Sequence, residues 1–188
     1  MKVKNKMVLV LWSGGVDSTT LLKFHLEQSD CEVHAHHIKL LDRGGMINKQ
    51  LDAVQSIEPM LQKIRPFNFT ESVQYASVLG DVFICLIDGM RIAYRKEYDE
   101  VAVGFTKTDE IAGIHPKNLK TLYSVVEACN ENDAYTNHKI KLTTPIKNFT
   151  KEMCWDRLGK ELQEKVWWCR KGEICGKCSQ CREMEKIK

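Results

Sequence analysis

The sequence predicts an α/β protein with a doubly wound, mainly parallel five-stranded sheet, and three observations lead to that class. Short apolar runs alternate along the chain with longer segments of helical spacing. The first apolar run, residues 7–12, passes directly into a glycine- and serine-rich turn and then into a helical segment. Four of the eight cysteines lie in the last twenty residues, which predicts a separate tail after the sheet. Alternating strands and helices favour a parallel sheet covered on both faces.

Five strands are expected, at residues 7–12, 31–38, 66–69, 100–105 and 140–145. Helices are expected over residues 16–28, 47–64, 78–94 and 119–129, and from Thr150 onward. Pro59 predicts a break in the second helix, and Thr70 is a candidate cap for the element after the third strand. Residues 106–117 are expected to form a polar loop. In sheets of this class ligands bind at the carboxyl ends of the strands, where the topology changes direction.

Length and composition are those of an ordinary globular chain. With 188 residues, 43% hydrophobic and 28% charged, the chain is expected to form one domain over residues 1–188, with the tail (166–188) included. The formal net charge of +3 is too small to indicate a nucleic-acid partner. No stretch approaches the length of a membrane span, and the basic start lacks a cleavage pattern, so a cytoplasmic protein is expected.

The turn after the first strand, Ser13–Ser18 (SGGVDS), has the composition of a phosphate site. Glycine lets the backbone turn tightly and approach a ligand, and the first helical turn offers unpaired N–H groups to an anion. Serine hydroxyls add donors, and Asp17 could hold a metal ion or cap the helix. An ordinary βα turn is the alternative, but the strand–turn–helix context favours phosphate binding. The turn is neither a Walker loop nor a dinucleotide fingerprint, since GK[ST] and the third glycine are missing.

The string SGGVDS resembles the pyrophosphate loop of the PP-loop ATP pyrophosphatases. Those enzymes cleave ATP to AMP and pyrophosphate while they adenylate a substrate. The resemblance implies that the departing pyrophosphate is held by Ser13, Gly14, Gly15, Val16, Asp17, Ser18 and Thr19.

The tail carries Cys169, Cys175, Cys178 and Cys181. Two residues between cysteines let both thiolates reach one metal ion, and four thiolates close a tetrahedral zinc site of structural function. A redox pair would leave two cysteines unexplained, and disulfides are not expected without a secretion signal. An iron–sulfur cluster also takes four cysteines and stays an open alternative. The scattered cysteines are expected to be small buried hydrophobes; they are Cys31, Cys85, Cys129 and Cys154.

The loop and the cysteine cluster together resemble one branch of the PP-loop superfamily, the 7-cyano-7-deazaguanine synthase (QueC-like) family. Its members end in a four-cysteine zinc site whose last three cysteines follow CGxCxxC, as residues 175–181 do. Residues 104–109, with Gly113 and Pro116, resemble the family's segment after its penultimate strand. Residues 144–151 resemble its Thr-Pro-Leu segment ending in lysine, which corresponds to Lys151.

The resemblance implies a C–N-bond-forming ligase that converts 7-carboxy-7-deazaguanine to the nitrile with ATP and ammonia. Adenylation of the carboxylate gives an acyl-adenylate, ammonia converts it to the amide, and a second adenylation permits loss of water. Asp17, Lys151 and Asp109 are the implied catalytic residues, with capping of a helix or turn as the alternative for Asp109. Structural zinc, Mg²⁺ at the loop and a homodimer are further implications.

The sequence departs from the family in its substrate-binding motifs. Gly80-Asp81-Val82 stands where the family has Gly-Arg-Asn, and residues 36–39 replace Tyr-Gly-Gln-Arg-His. The adenine or substrate pocket is assigned to His36, Ile38, Gly104 and Thr108. For the histidines, partly buried strand positions are the favoured alternative. These departures keep open an enzyme that adenylates another carboxylate or carbonyl (another deazapurine or a protein terminus). Two further alternatives are a PP-loop tRNA sulfur-transferase, which would use the cysteines catalytically, and a zinc-ribbon binding module with a degenerate nucleotide fold.

Overall fold

The computed structural model describes residues 5–28, 30–41, 44–75, 81–111, 115–131 and 138–188, with residues 110–111 and 115–118 described by their backbone alone. The strands are β1 (Met7–Leu11), β2 (Glu32–Leu40), β3 (Asn68–Gln74), β4 (Glu100–Ala102) and β5 (Lys141–Thr143). The helices are α1 (Val16–Gln28), α2 (Gly45–Gln62), α3 (Asp81–Lys96), α4 (Lys107–Ile111), α5 (His115–Glu131), α6 (Lys151–Leu158), α7 (Lys160–Gln163) and α8 (Ser179–Glu185). Within these ranges, no helix combines the length and apolar character that a membrane crossing requires.

The five strands form one sheet in the order β3-β2-β1-β4-β5, and every pair is parallel. From β1 the chain moves outward through β2 to β3, then returns to the other side of β1 for β4 and β5. The direction therefore changes between β1 and β4, and the carboxyl ends of these two strands form the crevice where such sheets bind ligands. The predicted doubly wound sheet is confirmed.

Side chains of β1 alternate between the two faces of the sheet and build two cores. Val8 and Val10 face a core completed by α1, α2 and α6, whereas Leu9 faces a core completed by α3 and α5. Leu9, Leu21 and Leu122 are all fully buried, and burial of each contributes about 1.5–3 kcal/mol. A central strand that is buried on both faces explains why residues 7–12 read as one continuous apolar run.

The expected break at Pro59 is wrong, because α2 continues through this residue to Gln62. A proline inside a helix costs about 3 kcal/mol, since it removes a hydrogen bond and crowds the preceding turn. Val54, Ile57 and Leu61 are fully buried on either side of it, and each contributes about 1.5–3 kcal/mol. The burial of these three side chains outweighs the cost of the proline.

The third strand is longer than expected, and Thr70 lies inside it instead of capping a helix. Seven residues of β3 pair with β2, from His34 opposite Asn68 to Leu40 opposite Gln74. Pairing between strands that are distant in sequence extends the strand beyond its apolar start. The expected helix 78–94 begins at Asp81 in the structure, and Gly80 lies outside the described residues, as does Gly113.

The last two strands are shorter than expected, and the expected loop 106–117 contains α4 and the start of α5. β4 ends at Ala102, although the Val103 N–H still donates to the Thr143 carbonyl of β5 at 3.0 Å. Thr150 caps α6 as expected, since its hydroxyl accepts the Met153 N–H at 3.2 Å. Of the scattered cysteines, Cys31 and Cys154 are buried, whereas Cys85 and Cys129 are partly buried.

Candidate functional site

The turn Ser13–Ser18, here called the phosphate loop, lies at the crevice between β1 and β4. The Ser13 N–H donates to the Ser18 hydroxyl at 3.1 Å, and the two serine hydroxyls lie 3.0 Å apart. The Thr19 N–H donates to the Gly15 carbonyl at 3.0 Å, and the Trp12 indole donates to the Thr19 hydroxyl at 3.0 Å. These bonds fix the turn where β1 ends and α1 begins.

Two glycines allow the neighbouring backbone to approach this loop. Gly14 has φ +77°, and a Cβ atom there would lie 3.0 Å from the Gln50 carbonyl and 3.1 Å from Val54, both on α2. Gly104, just after β4, lies against the first turn of α1, where a Cβ atom would be 3.1 Å from the Ser18 nitrogen. The structure therefore places Gly104, a sequence-assigned pocket residue, in contact with the backbone of the phosphate loop.

Lys151 and Asp17 form an ion pair across the crevice, between the first residue of α6 and the first turn of α1. The Lys151 side chain is 4% exposed and that of Asp17 is 21% exposed. Desolvation works against the buried ammonium, but the charge and hydrogen bond of Asp17 raise the pKa of Lys151 above its ordinary value. The lysine therefore carries its positive charge at neutral pH. Burial raises the pKa of Asp17, and Lys151 acts in the opposite sense.

The two carboxylate oxygens of Asp17 differ in their contacts. Its Oδ2 bonds to Lys151, whereas Oδ1 is buried and has no hydrogen-bond partner among the described residues. Buried carboxylate oxygens in folded proteins normally have a partner, so an unsatisfied one marks a position that a water, a ligand or an ion can fill. A carboxylate oxygen such as Asp17 Oδ1 is a hard, anionic ligand atom of the kind that magnesium prefers.

The segments around α4 and α6 are tied to this pair. The Lys151 N–H donates to the Thr108 hydroxyl at 3.1 Å, so Thr108 helps to place the start of α6. Asp109 accepts hydrogen bonds from the Thr106 N–H at 2.9 Å and from the Thr106 hydroxyl at 3.0 Å, which makes it a capping residue of α4. Its charge still acts on Asp17 and Lys151 and raises the pKa of both.

Glu183 of α8 is a residue that sequence reasoning missed. It is half-buried, and its negative charge helps to raise the pKa of Lys151. Burial raises the pKa of Glu183 itself, while Lys151 lowers it. The next residue, Met184, is buried in the core that contains Val16 and Leu21, and this contact seats α8 against the body of the fold. No sequence motif marks Glu183, since it follows cysteines whose expected function was purely structural.

The four cysteines of the tail form a compact cluster. Their sulfur atoms all lie within 4.8 Å of one another, with Cys169–Cys175 at 3.6 Å and Cys175–Cys181 at 4.0 Å. Backbone N–H groups donate to three of the sulfurs at 3.4 Å, as in thiolate metal sites. The N–H groups of Lys177 and Cys178 lower the pKa of Cys175 to about 6, which favours the metal-binding thiolate. The cluster can hold a metal ion.

His36 and Ile38 are not gathered with the phosphate loop. His36 is 2% exposed, and its two nitrogens lie 2.8 Å from the Thr70 hydroxyl and 2.9 Å from the Ser72 hydroxyl. Ser72 in turn donates to Asp88 of α3, which also bonds to Arg91. Burial lowers the pKa of His36 in spite of Asp88. In this arrangement His36 belongs to a buried polar network between β2, β3 and α3, and Ile38 packs in a small apolar cluster beside it.

The parallel sheet, with the serine–glycine loop at its switch point, is the PP-loop type of fold that the sequence predicts. A solved structure of similar fold is the U34-tRNA thiolase NcsA from Methanococcus maripaludis with its [4Fe-4S] cluster, with a TM-score of 0.51 and 11% sequence identity. The similarity covers 86% of this chain and 57% of that one, and it establishes the fold alone.

Sequence comparison identifies the particular branch. The family model for queuosine biosynthesis protein QueC matches residues 71–186, more than half of the chain. The chain belongs to the QueC family. Two similar curated relatives are 7-cyano-7-deazaguanine synthases of Prochlorococcus marinus, from strains MIT 9312 and AS9601. They are 24% and 25% identical to the chain, over 97% of its length and 93% of theirs.

Proposed function

We propose that the protein is an ATP-dependent, AMP-forming ligase that makes 7-cyano-7-deazaguanine from 7-carboxy-7-deazaguanine and ammonia. The observation that carries this proposal is the convergence of the phosphate loop with the Asp17–Lys151 pair at the switch point of the sheet. Membership of the QueC family and the names of its near-full-length relatives support the choice of substrate. Because these relatives are 7-cyano-7-deazaguanine synthases, we expect the chain to be an enzyme of the same kind.

The loop would hold the two phosphates that leave. Backbone N–H groups of the first turn of α1, together with the hydroxyls of Ser13 and Ser18, are donors suited to pyrophosphate. Lys151 is charged and buried beside them, so its electrostatic effect on a developing negative charge is stronger than it would be in water. Such a site stabilises charge and needs no nucleophilic side chain.

Magnesium fits this site through Asp17, whose buried Oδ1 has no hydrogen-bond partner in the part of the chain that the structure describes. When bound, Mg²⁺ supplies Lewis-acid stabilisation of the phosphate oxygens. Asp17 would hold the ion with one oxygen and orient Lys151 with the other. Glu183 and Asp109 would add negative charge near the same ion and keep Lys151 protonated.

In the proposed reaction a carboxylate oxygen of the substrate attacks the α-phosphorus of ATP. The bond from that phosphorus to the bridging oxygen breaks, and pyrophosphate leaves with the electron pair. Ammonia then displaces AMP from the acyl carbon and loses a proton, which gives the amide. A second ATP adenylates the amide oxygen, and departure of AMP with loss of the remaining N–H protons forms the nitrile. Lys151 and the loop serve both adenylations.

Zinc is the proposed occupant of the cysteine cluster. Four thiolates at about 2.3 Å from one tetrahedral ion lie about 3.8 Å apart, which agrees with separations of 3.6 and 4.0 Å. A [4Fe–4S] cluster places a separate iron atom behind each sulfur, so its cysteine sulfurs stand farther apart. The short separations therefore support one ion. They disfavour the tRNA sulfur-transferase alternative in its iron–sulfur form.

The proposal is tested by incubating the purified protein with ATP, Mg²⁺, an ammonium salt and 7-carboxy-7-deazaguanine, followed by mass spectrometry of the products. We expect AMP together with the amide and the nitrile, and no AMP when the carboxylate substrate is omitted. AMP formation with a different carboxylate, but none with 7-carboxy-7-deazaguanine, would contradict the assigned substrate and favour a diverged adenylating enzyme.

A further inference from the structure

We propose that the cysteine tail (residues 166–188) braces the phosphate loop, so that a metal ion on the tail and pyrophosphate on the loop each strengthen the binding of the other. The inference rests on the proposed function only in taking pyrophosphate as the ligand of the loop. It assigns to the tail a positioning function in addition to its structural one, with Trp167 as the positioning residue.

The first contact between tail and loop is made by Trp167. Its N–H donates to the Gly14 carbonyl at 3.0 Å. Its carbonyl oxygen lies 3.4 Å from the position that a Cβ atom would take on Gly15. Both glycines of the phosphate loop therefore touch the backbone of one tail residue, two positions before Cys169.

The second contact lies just beyond the same cysteine. The backbones of Gly172 and Gly45 pass so closely that a Cβ atom on Gly45 would lie 3.1 Å from the Gly172 Cα. Gly45 is the first residue of α2, and α2 places Gln50 and Val54 against Gly14. The tail therefore supports Gly14 directly through Trp167 and indirectly through α2.

Aromatic contacts strengthen this arrangement. Trp167 stacks on Trp168 with ring centroids 6.5 Å apart, and the Lys49 ammonium of α2 lies 5.9 Å from the centroid of Trp167. The ammonium of Lys188 lies 3.9 Å from the centroid of Trp168. A cation near an aromatic ring is attracted by the negative charge of the ring face. The tail, α2 and the phosphate loop thus meet around Trp167.

The metal ion matters because the tail has little regular structure of its own before α8. Residues 166–178 contain neither helix nor strand, so the chain there is fixed mainly by its contacts and by the four cysteines. Without an ion, the thiols no longer tie Cys169 to Cys175 and Cys181, and ordering this segment costs conformational entropy. Trp167 then contacts Gly14 for a smaller fraction of the time, while the sheet and its two cores stay folded.

Coupling between two binding sites is reciprocal. If the ion makes the loop bind pyrophosphate more tightly by some factor, pyrophosphate must make the tail bind the ion more tightly by the same factor. Couplings in proteins commonly fall between about fivefold and 150-fold. Because the contacts are few and local, we expect a factor of about tenfold here.

The test measures the dissociation constant of magnesium pyrophosphate by calorimetry, first with zinc-loaded protein and then after removal of zinc with a chelator. We expect about tenfold weaker binding after zinc removal, an unchanged far-ultraviolet circular dichroism spectrum, and faster hydrogen exchange in the peptide that contains Gly14 to Ser18. Competition with a chromogenic chelator should show zinc held more tightly by the same factor when pyrophosphate is present. Equal pyrophosphate affinity with and without zinc would overturn the proposal.

A pair of variants tests the contact itself with zinc in place. Trp167→Pro removes the N–H that bonds to Gly14, whereas Trp167→Phe keeps that N–H and a stacking ring. We expect Trp167→Pro to weaken pyrophosphate binding clearly more than Trp167→Phe does, while both variants retain one zinc ion. Equal binding by the two variants would contradict the positioning function of Trp167. A failed synthesis of the nitrile alongside intact zinc–pyrophosphate coupling would refute the proposed function alone.

Discussion

Lys151 is the residue on which the candidate site depends most. A buried ion pair adds little net stability, because desolvation of the two charges offsets most of their attraction. The Asp17–Lys151 pair is therefore better explained by chemistry than by folding. The two residues are 134 positions apart in sequence, and the fold brings them together at the carboxyl end of β1.

We expect Lys151→Met to lower the rate of AMP formation by about 10²–10³, the usual effect of removing a group that stabilises transition-state charge. Lys147→Met is the matched control, since Lys147 is exposed and lies in the turn just before α6. Rapid-quench measurement of AMP would compare the two variants. Similar rates for both would show that the buried ammonium does not act on the phosphates.

The burial of His34 leads us to expect that the folded protein loses stability in acid. Burial lowers its pKa from 6.5 to about 4, so it is neutral in the folded protein while the unfolded chain is protonated already near pH 6.5. The contribution of neutral His34 to the free energy of unfolding is fully present above pH 6.5. It is lost as the pH falls toward 4, and the loss amounts to at most ~3 kcal/mol. His25, whose pKa burial also lowers to about 4, acts in the same window.

Urea unfolding above and below this pH window checks the prediction. His34→Asn should show a smaller loss of unfolding free energy between the two conditions than the wild type does. An unchanged pH dependence in this variant would mean that His34 titrates alike in the folded and unfolded states.

At the scale of elements, the apolar spacing of the sequence predicts most of the helices. The length of a strand depends in addition on pairing with residues that are distant in the sequence. The helix after the phosphate loop was expected over 16–28 and is found there, because its apolar spacing and its entry turn are both local. β3 extends beyond the expected strand, because five of its seven residues (70–74) follow residue 69 and are held by pairing with β2 instead of by their own apolar character. α4 was missed, although Thr106 and Asp109 have the spacing of a capping box.

The capping geometry of Asp109 gives an element-scale prediction. Asp109→Ala should lower the free energy of unfolding by about 1 kcal/mol, because it removes the acceptor at the start of α4. Asp109→Asn keeps an acceptor oxygen, so it should retain most of the wild-type stability, and the loss of its charge near Lys151 should lower the AMP-forming rate much less than Lys151→Met does. A large loss of AMP formation in Asp109→Asn alone would assign the aspartate a catalytic function instead.

Much of the candidate site was also accessible from sequence, within limits that the fold explains. The phosphate loop, Lys151 and the cysteines each stand in a local pattern of recognisable spacing. Glu183 and the N–H of Trp167 have no such pattern, because their importance arises only when the tail packs against α1 and α6. His36 was assigned to a pocket, whereas side-chain alternation along β2 directs it toward α3.

At the scale of the whole molecule, the separations of the sulfur atoms predict the metal content. We expect elemental analysis to find one zinc ion per chain and a colourless protein, since the sulfurs are spaced for a single tetrahedral ion. Iron with acid-labile sulfide in an anaerobically purified sample would contradict this prediction. That result would revive the sulfur-transferase alternative.

The central position of β1 has a consequence for the protein during its synthesis. β1 leaves the ribosome before the other four strands of its sheet, yet its neighbours are β2 and β4, and the ammonium that completes the proposed phosphate site comes from residue 151. A nascent chain can therefore display the serine–glycine turn long before Lys151 or Trp167 can reach it. On the proposed function, unfinished chains have no competent centre for adenylation, and adenylation begins only after the segments that follow β5 have emerged and docked.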